Sequence, residues 1–227
     1  MKLIFPALAV CAFGMGANAD VLWDQSNVNP DVNSIVDQEF GDFPTYSSYM
    51  ANDFEVDGPG WHITKFTVFF TNQNGGWNDT ITTGRFNFHS KAPYPDCSFP
   101  TVDADEGDVV PITLTADANG WAISTDLDIY VGAGEAYWIG LTPIADFGVY
   151  SQEFHRAAPI VGCNTAWHNP GGSFGYGADW TYAYVLDSTG TWEDAYDMAM
   201  LIEGTYVPAP GALALLGLAG LVGRRRR

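Results

Sequence analysis

Basic residues are scarce in this chain. Nine Lys and Arg stand against 27 Asp and Glu, a formal net charge of −18. Five of the nine sit at the ends, Lys2 and Arg224, Arg225, Arg226 and Arg227, so the stretch between keeps only Lys65, Arg85, Lys91 and Arg156. So acidic a body repels nucleic acid and anionic membrane surfaces, which excludes partners bound through a basic footprint. Cysteine is nearly as sparse, with three residues and no Cys-x-x-Cys pair. That excludes a disulfide-dense miniature scaffold and the common zinc ribbon. The apolar runs Leu3 to Met15 and Gly211 to Gly223 hold 13 residues each, short of the roughly 20 that cross a bilayer as a helix. No phosphate loop or dinucleotide fingerprint occurs. With 27 acids, a carboxylate pair for glycoside hydrolysis can always be found, so its presence carries no information. The expectation is a protein that is not an enzyme.

What is present begins at the two ends. Met1 to Ala19 reads as a secretory signal peptide: Lys2 supplies the positive start, an apolar stretch follows, and Ala17-Asn18-Ala19 is a small-x-small cleavage site before Asp20. The last 21 residues, 207–227, run Val207-Pro208-Ala209-Pro210, then a Leu/Gly/Ala segment, then four Arg. As a helix, that segment spans about 20 Å against a bilayer core of about 30 Å. It makes a marginal, transient membrane anchor whose Arg block stays on the cytoplasmic side. The acidic body between the two ends is expected outside the membrane.

A Pro-x-Pro motif, a short apolar helix and a terminal Arg cluster together resemble the PEP-CTERM sorting signal of bacterial exosortase substrates. Ala209 stands where that family has Glu. The resemblance covers the last 20 or so residues. It implies export by signal peptidase, processing near Pro208 to Pro210 by an exosortase-like membrane enzyme, and release to the cell surface or extracellular matrix. Within the body, Tyr49-Met50-Ala51-Asn52-Asp53-Phe54-Glu55-Val56, then Gly60-Trp61-His62-Ile63, and the closing Asp197 to Gly204 are similar to uncharacterised extracellular β-sandwich domains that carry this tail.

Residues 20–206 show no sustained helical periodicity, only short alternating runs. Phe66, Val68 and Phe70 share one face; Tyr137, Ile139 and Leu141 share another; Tyr182, Tyr184 and Leu186 a third. Around Met198, Met200 and Ile202, the neighbours Ala199 and Leu201 make the strand apolar on both sides, as a central strand requires. Turn signals such as Asp57-Gly58-Pro59-Gly60 and Asn169-Pro170-Gly171-Gly172 separate the runs. The fold expected is all-β: a single antiparallel β-sandwich, jelly-roll-like domain. Residues 145–180 read as long loops.

Three constellations invite chemistry. Cys97 and Cys163 are the only cysteines left after signal removal, and an even count in an exported chain favours a disulfide. The rivals are two free thiols or a metal set with His89 and His168, whose spacing supports it poorly. Asp103, Asp105 and Asp108 lie in the densest acidic run and are a candidate Ca²⁺ loop, although Gly107 and Leu114 break the EF-hand pattern. Against that stands a solvated acidic loop guarding a sheet edge. Trp77, Trp167 and Trp180 are candidate sugar-stacking rings, with Trp192 a weaker one, near Asn78, Asn164, Asn169 and Asp179. Trp61 and Trp121 read as core. His155-Arg156 is a rare cationic spot whose simplest role is an ion pair with a nearby acid. The expected role is structural or adhesive, in contact with extracellular polysaccharide or with copies of itself. The alternative is a carbohydrate-binding module with a discrete, Ca²⁺-assisted site and no other cofactor.

Overall fold

The computed structural model describes residues 19–27, 34–71, 80–117, 120–183 and 197–207. The leader up to Asn18, the tail from Pro208, Trp77, Trp192, and the expected strand positions Tyr184 and Leu186 lie outside the described residues. The elements, in chain order, are β1 (Asp20–Asp24), β2 (Ile35–Val36), β3 (Tyr49–Glu55), β4 (Trp61–Thr71), β5 (Thr83–Lys91), β6 (Asp108–Pro111), β7 (Thr113–Asp117), β8 (Gly120–Val131), β9 (Ala136–Pro143), a one-turn helix α1 (Phe147–Tyr150), β10 (Phe154–His155), β11 (Ala157–Ala158), β12 (Ala166–His168), β13 (Thr181–Tyr182), β14 (Asp197–Met198) and β15 (Met200–Tyr206).

They make an all-β sandwich of antiparallel sheets. In the first sheet β4 is the spine: β15 and then β1 lie on one side of it, β8 and then β7 on the other, and β10 and β2 continue along the β15 side. The second sheet runs β13-β12-β3-β9-β5-β6, and β11 and β14 form a short separate ribbon. The main core lies between the two sheets. Phe66, Val68 and Phe70 of β4, Ile123 of β8 and Ile202 of β15 meet Phe54 of β3 and Ile139 and Leu141 of β9. The two-residue period of a strand places these side chains on one face, and their burial is the main driving force for packing. β15 is flanked by β1 and β4, as its two-sided apolar pattern requires. In β9, Gly140 leaves room for β3: a Cβ there would sit 2.0 Å from the Met50 carbonyl oxygen.

The second sheet is covered on its outer face as well. Trp138 of β9 points away from the main core yet is fully buried, in a cluster with Ala51, Cys163 and Ala166. Its cover is the segment leading to β6, held by Trp138 Nε1–H donating to the Ser98 carbonyl (2.9 Å) and Tyr182 O–H donating to that of Cys97 (2.8 Å). Cys97 and Cys163 form a disulfide that ties this cover to the sheet. Both thiolates are thereby removed from any metal set with His89 and His168.

All four basic residues of the body are taken up by acids. Arg85 makes a two-pronged pair with Glu39 (2.7 and 2.8 Å), Arg156 meets Asp117 at 2.6 Å, Lys91 meets Asp53 at 3.0 Å and Lys65 meets Glu203 at 3.4 Å. No helix among the described residues is long and apolar enough to cross a membrane.

Candidate functional site

Of the sequence-expected tryptophans, Trp167 and Trp180 do not share a platform. In β12, Ala166, Trp167 and His168 alternate across the sheet. Ala166 belongs to the cluster around Trp138, on the disulfide side, while Trp167 packs with Met50, Ala157 and Met198 on the other. Trp167 is only 2% exposed and edge-packed by Phe174 and Tyr176, so its faces are not open to a sugar. Trp180 lies with the Trp138 cluster and stacks on His168 at 4.8 Å, and its Nε1–H donates to the Val102 carbonyl at 2.9 Å. The two rings thus belong to separate clusters on opposite faces of the second sheet.

The acidic run forms a 3₁₀ turn at Ala104–Glu106 that leads into β6 at Asp108. Asp103 turns toward His168, 3.6 Å from Nε2. Among the described residues no three His, Cys, Asp or Glu side chains, Asp103, Asp105 and Asp108 included, gather as a group that could hold a metal ion.

Two arrangements look chemical and are structural. His155 sits between Asp37, 2.9 Å from Nδ1, and the Ala199 carbonyl, 3.1 Å from Nε2, with its ring stacked on Phe70. Both ring nitrogens are occupied, so neither is left for a substrate. Asp53, Glu55 and Asp57 line a cleft of about 380 Å³ with Trp23 and Tyr94. Each carboxylate there is engaged: Asp53 by Lys91, Glu55 by the Tyr94 backbone N–H and Asp57 by Trp61 Nε1–H.

A second open cleft lies elsewhere. Phe40, Phe43, Tyr46, Phe147 and Gln152 line an open cleft of about 230 Å³. Two segments line it, one around the turn Pro44–Tyr46 and one around the helix α1, and a third, the loop after β12, packs against Tyr46. Proline at the first position pre-sets the turn. Asp42 caps α1, accepting from the backbone N–H groups of Phe147 and Gly148, both at 2.8 Å. Although burial pulls the Asp42 carboxyl upward, these hydrogen bonds hold it below the usual carboxylate range. Buried Asn169 laces the third segment on, donating to the carbonyls of Thr45 (3.1 Å) and Ser47 (2.7 Å) and accepting from Phe174 N–H (3.2 Å). Gln38 Nε2 donates to the carbonyls of Ala145 (2.8 Å) and Ser151 (3.0 Å), fixing the far wall. The Ser151 bond holds a residue with a φ of 67°, a strained position for a side chain other than glycine.

The rings are therefore held firmly while staying open to solvent. Phe43 is 49% and Phe147 44% exposed, and they meet edge to face at 5.9 Å. Phe147 also meets buried Phe40 at 6.2 Å, and Tyr46 meets Phe174 at 5.5 Å. No charged side chain lines the cleft. It offers ring faces, one amide and one phenol, which suit an uncharged ring or apolar group rather than an ion. Sequence reasoning missed this site because its rings come from segments about a hundred residues apart.

The sequence matches no protein-family model and no curated protein.

Proposed function

We propose that this chain is an exported bacterial surface or extracellular-matrix protein, non-catalytic, with a structural or adhesive role. It is delivered by an N-terminal signal peptide and a C-terminal sorting signal of the PEP-CTERM type. The observation that carries this reading is where the sandwich starts and stops. β1 begins at Asp20, the first residue after the expected cleavage, and β15 ends at Tyr206, one residue before the Val207-Pro208-Ala209-Pro210 motif. Asp20 pairs with Gly204, so both address segments leave from one end of a single strand pair. Removing either leaves the pairing intact. The disulfide adds support, since such bonds persist in oxidising compartments.

Intact-mass analysis of the protein from cells and medium tests the route. The expected mature form begins at Asp20 and has lost its Arg cluster after cutting near Pro208 to Pro210. Cytosolic material with both ends whole would overturn the reading.

The uncharged aromatic cleft favours a second reading, a carbohydrate-binding module with a discrete site. Either way, the cleft is the proposed contact for extracellular polysaccharide. Replacing Phe43 and Phe147 together by alanine is expected to weaken retention on the producer's own matrix polysaccharide at least tenfold, about 1.4 kcal/mol. The melting temperature should stay within a few degrees. Unchanged retention would exclude the cleft as that contact.

A further inference from the structure

The pair Lys91–Asp53 differs from the other ion pairs of the body. The other pairs made by Lys or Arg each leave at least one partner partly in water, whereas the side chains of Lys91 and Asp53 are both 1% exposed. Asp53 is on β3 and Lys91 ends β5, two strands that flank β9 without pairing with each other. Asp53 lies opposite Trp138 in the register, and Trp138 lies opposite His89, two residues before Lys91. The strand period therefore sends Asp53, Trp138 and Lys91 to the same outer face. Lys91 Nζ passes over the Trp138 ring, 5.5 Å from its centre, to reach Asp53 Oδ2 at 3.0 Å.

We propose that Lys91 and Asp53 condense into an intramolecular amide, a covalent strap from β3 to β5 across β9. Three features of the site support the step. The ammonium is poorly satisfied: among the described residues it donates only to Asp53 Oδ2 and to the Cys163 sulfur at 3.5 Å, against three N–H donors. The carboxyl is clamped: Oδ1 accepts the Cys163 N–H at 3.1 Å, and the backbone at Gly162, with a φ of 89°, leaves only 2.8 Å between a built Cβ and Oδ2. Burial also pushes the Asp53 carboxyl up, although Lys91 and the Cys163 N–H pull it down.

The chemistry needs no other reactant. A proton first passes from Nζ to Asp53 Oδ2, 3.0 Å away, leaving an amine and a carboxylic acid; Nζ then attacks Asp53 Cγ, and the carbonyl electron pair moves onto Oδ1, where the Cys163 N–H stabilises it. Two protons leave the ammonium nitrogen and end on Oδ2, which departs as water. The Nζ–Cγ bond forms, the Cγ–Oδ2 bond breaks, one hydrogen stays on the amide nitrogen, and nothing is oxidised or reduced. In water hydrated ions are favoured over the amide. Here the two side chains are almost wholly out of water and held in contact, so the balance moves toward the neutral amide. Lys91 also borders a cleft of about 530 Å³ with Ser98 and Thr101, through which the released water can leave.

Peptide mapping of the full-length folded protein, reduced and denatured before digestion, tests the proposal. The expected result is one branched peptide containing both Asp53 and Lys91, lighter by one water than its two parts. In a Lys91→Arg variant, which keeps the cation, both peptides should run separately at full mass. Wild-type material decides the matter by itself, so the variant's folding is not critical. Recovery of separate, full-mass Asp53 and Lys91 peptides after days of incubation would overturn the strap. So would a water loss confined to one peptide, as a cyclic imide would give.

Discussion

Replacing Cys97 and Cys163 together by alanine is expected to cost the folded domain about 4 kcal/mol. The bridge spans a sequence separation of 66, and in the chain-entropy account a loop of that size restricts the unfolded chain by about that amount. The urea midpoint should fall by roughly 1.5 M for a domain of this size. The damage should begin at the cover over Trp138. That segment lies on the sheet through three side-chain hydrogen bonds to backbone carbonyls, from Trp138, Trp180 and Tyr182. Each contributes about 1 kcal/mol net, too little to order a stretch of chain without a crosslink. Amide exchange across residues 97–103 should therefore quicken before global unfolding changes. Equal urea midpoints for the two proteins would show that packing on Trp138 holds the cover and the bridge is incidental.

The fold was legible where a strand is long enough to show its period. Phe66, Val68 and Phe70 are interior because β4 runs over eleven residues, and the closing strand announced its central place through apolar residues on both faces. Trp121 is only partly buried, packed against the core's margin rather than within it. Residues 145–180, expected as loops, also hold α1 and the short strands β10, β11 and β12. A two- or three-residue strand carries no readable alternation. Its existence depends on a partner far along the chain, as when Phe154 pairs with Thr71 and Val36.

The site was less legible, for a related reason. Chemistry-bearing residue types can be read from a sequence, but which face of a sheet each one takes depends on register. Trp167 and Trp180 are close in sequence and flank opposite faces, while Phe43 and Phe147 are distant and touch. The cystine was readable because an even count of two leaves a single pairing. The partnership of Lys91 with Asp53 was not, because it skips over a whole strand.

Glu153→Gln should blunt the domain's loss of stability in alkali. Glu153 is 1% exposed, it precedes β10, and its Oε2 has no partner among the described residues. Its backbone is fixed on both sides: Glu153 N–H donates to Gln38 Oε1 at 2.7 Å, and its carbonyl accepts from Asp37 N–H at 3.1 Å. The side chain therefore cannot swing out without breaking the strand edge. Burial raises its carboxyl from the ordinary 4.5 to about 8. Below pH 4.5 the folded and unfolded chains both hold this proton, and the group is neutral to stability. Between 4.5 and 8 the unfolded chain releases the proton while the folded one retains it, so stability falls as pH rises; above 8 the loss is complete. At about 1.4 kcal/mol per pKa unit the total is a few kcal/mol. Glutamine has the same shape and no charge at any pH. Its amide brings a buried N–H₂ of its own, so at pH 4.5 the variant should be the weaker protein by about 1 kcal/mol. At pH 8 it should be the stronger. Asp37 and Asp197, whose carboxyls burial also raises, titrate alike in both proteins and drop out of the difference. Urea unfolding of the pair across pH 4.5 to 9 should therefore give two stability curves that cross, and parallel curves would show that Glu153 is ionised in the folded protein.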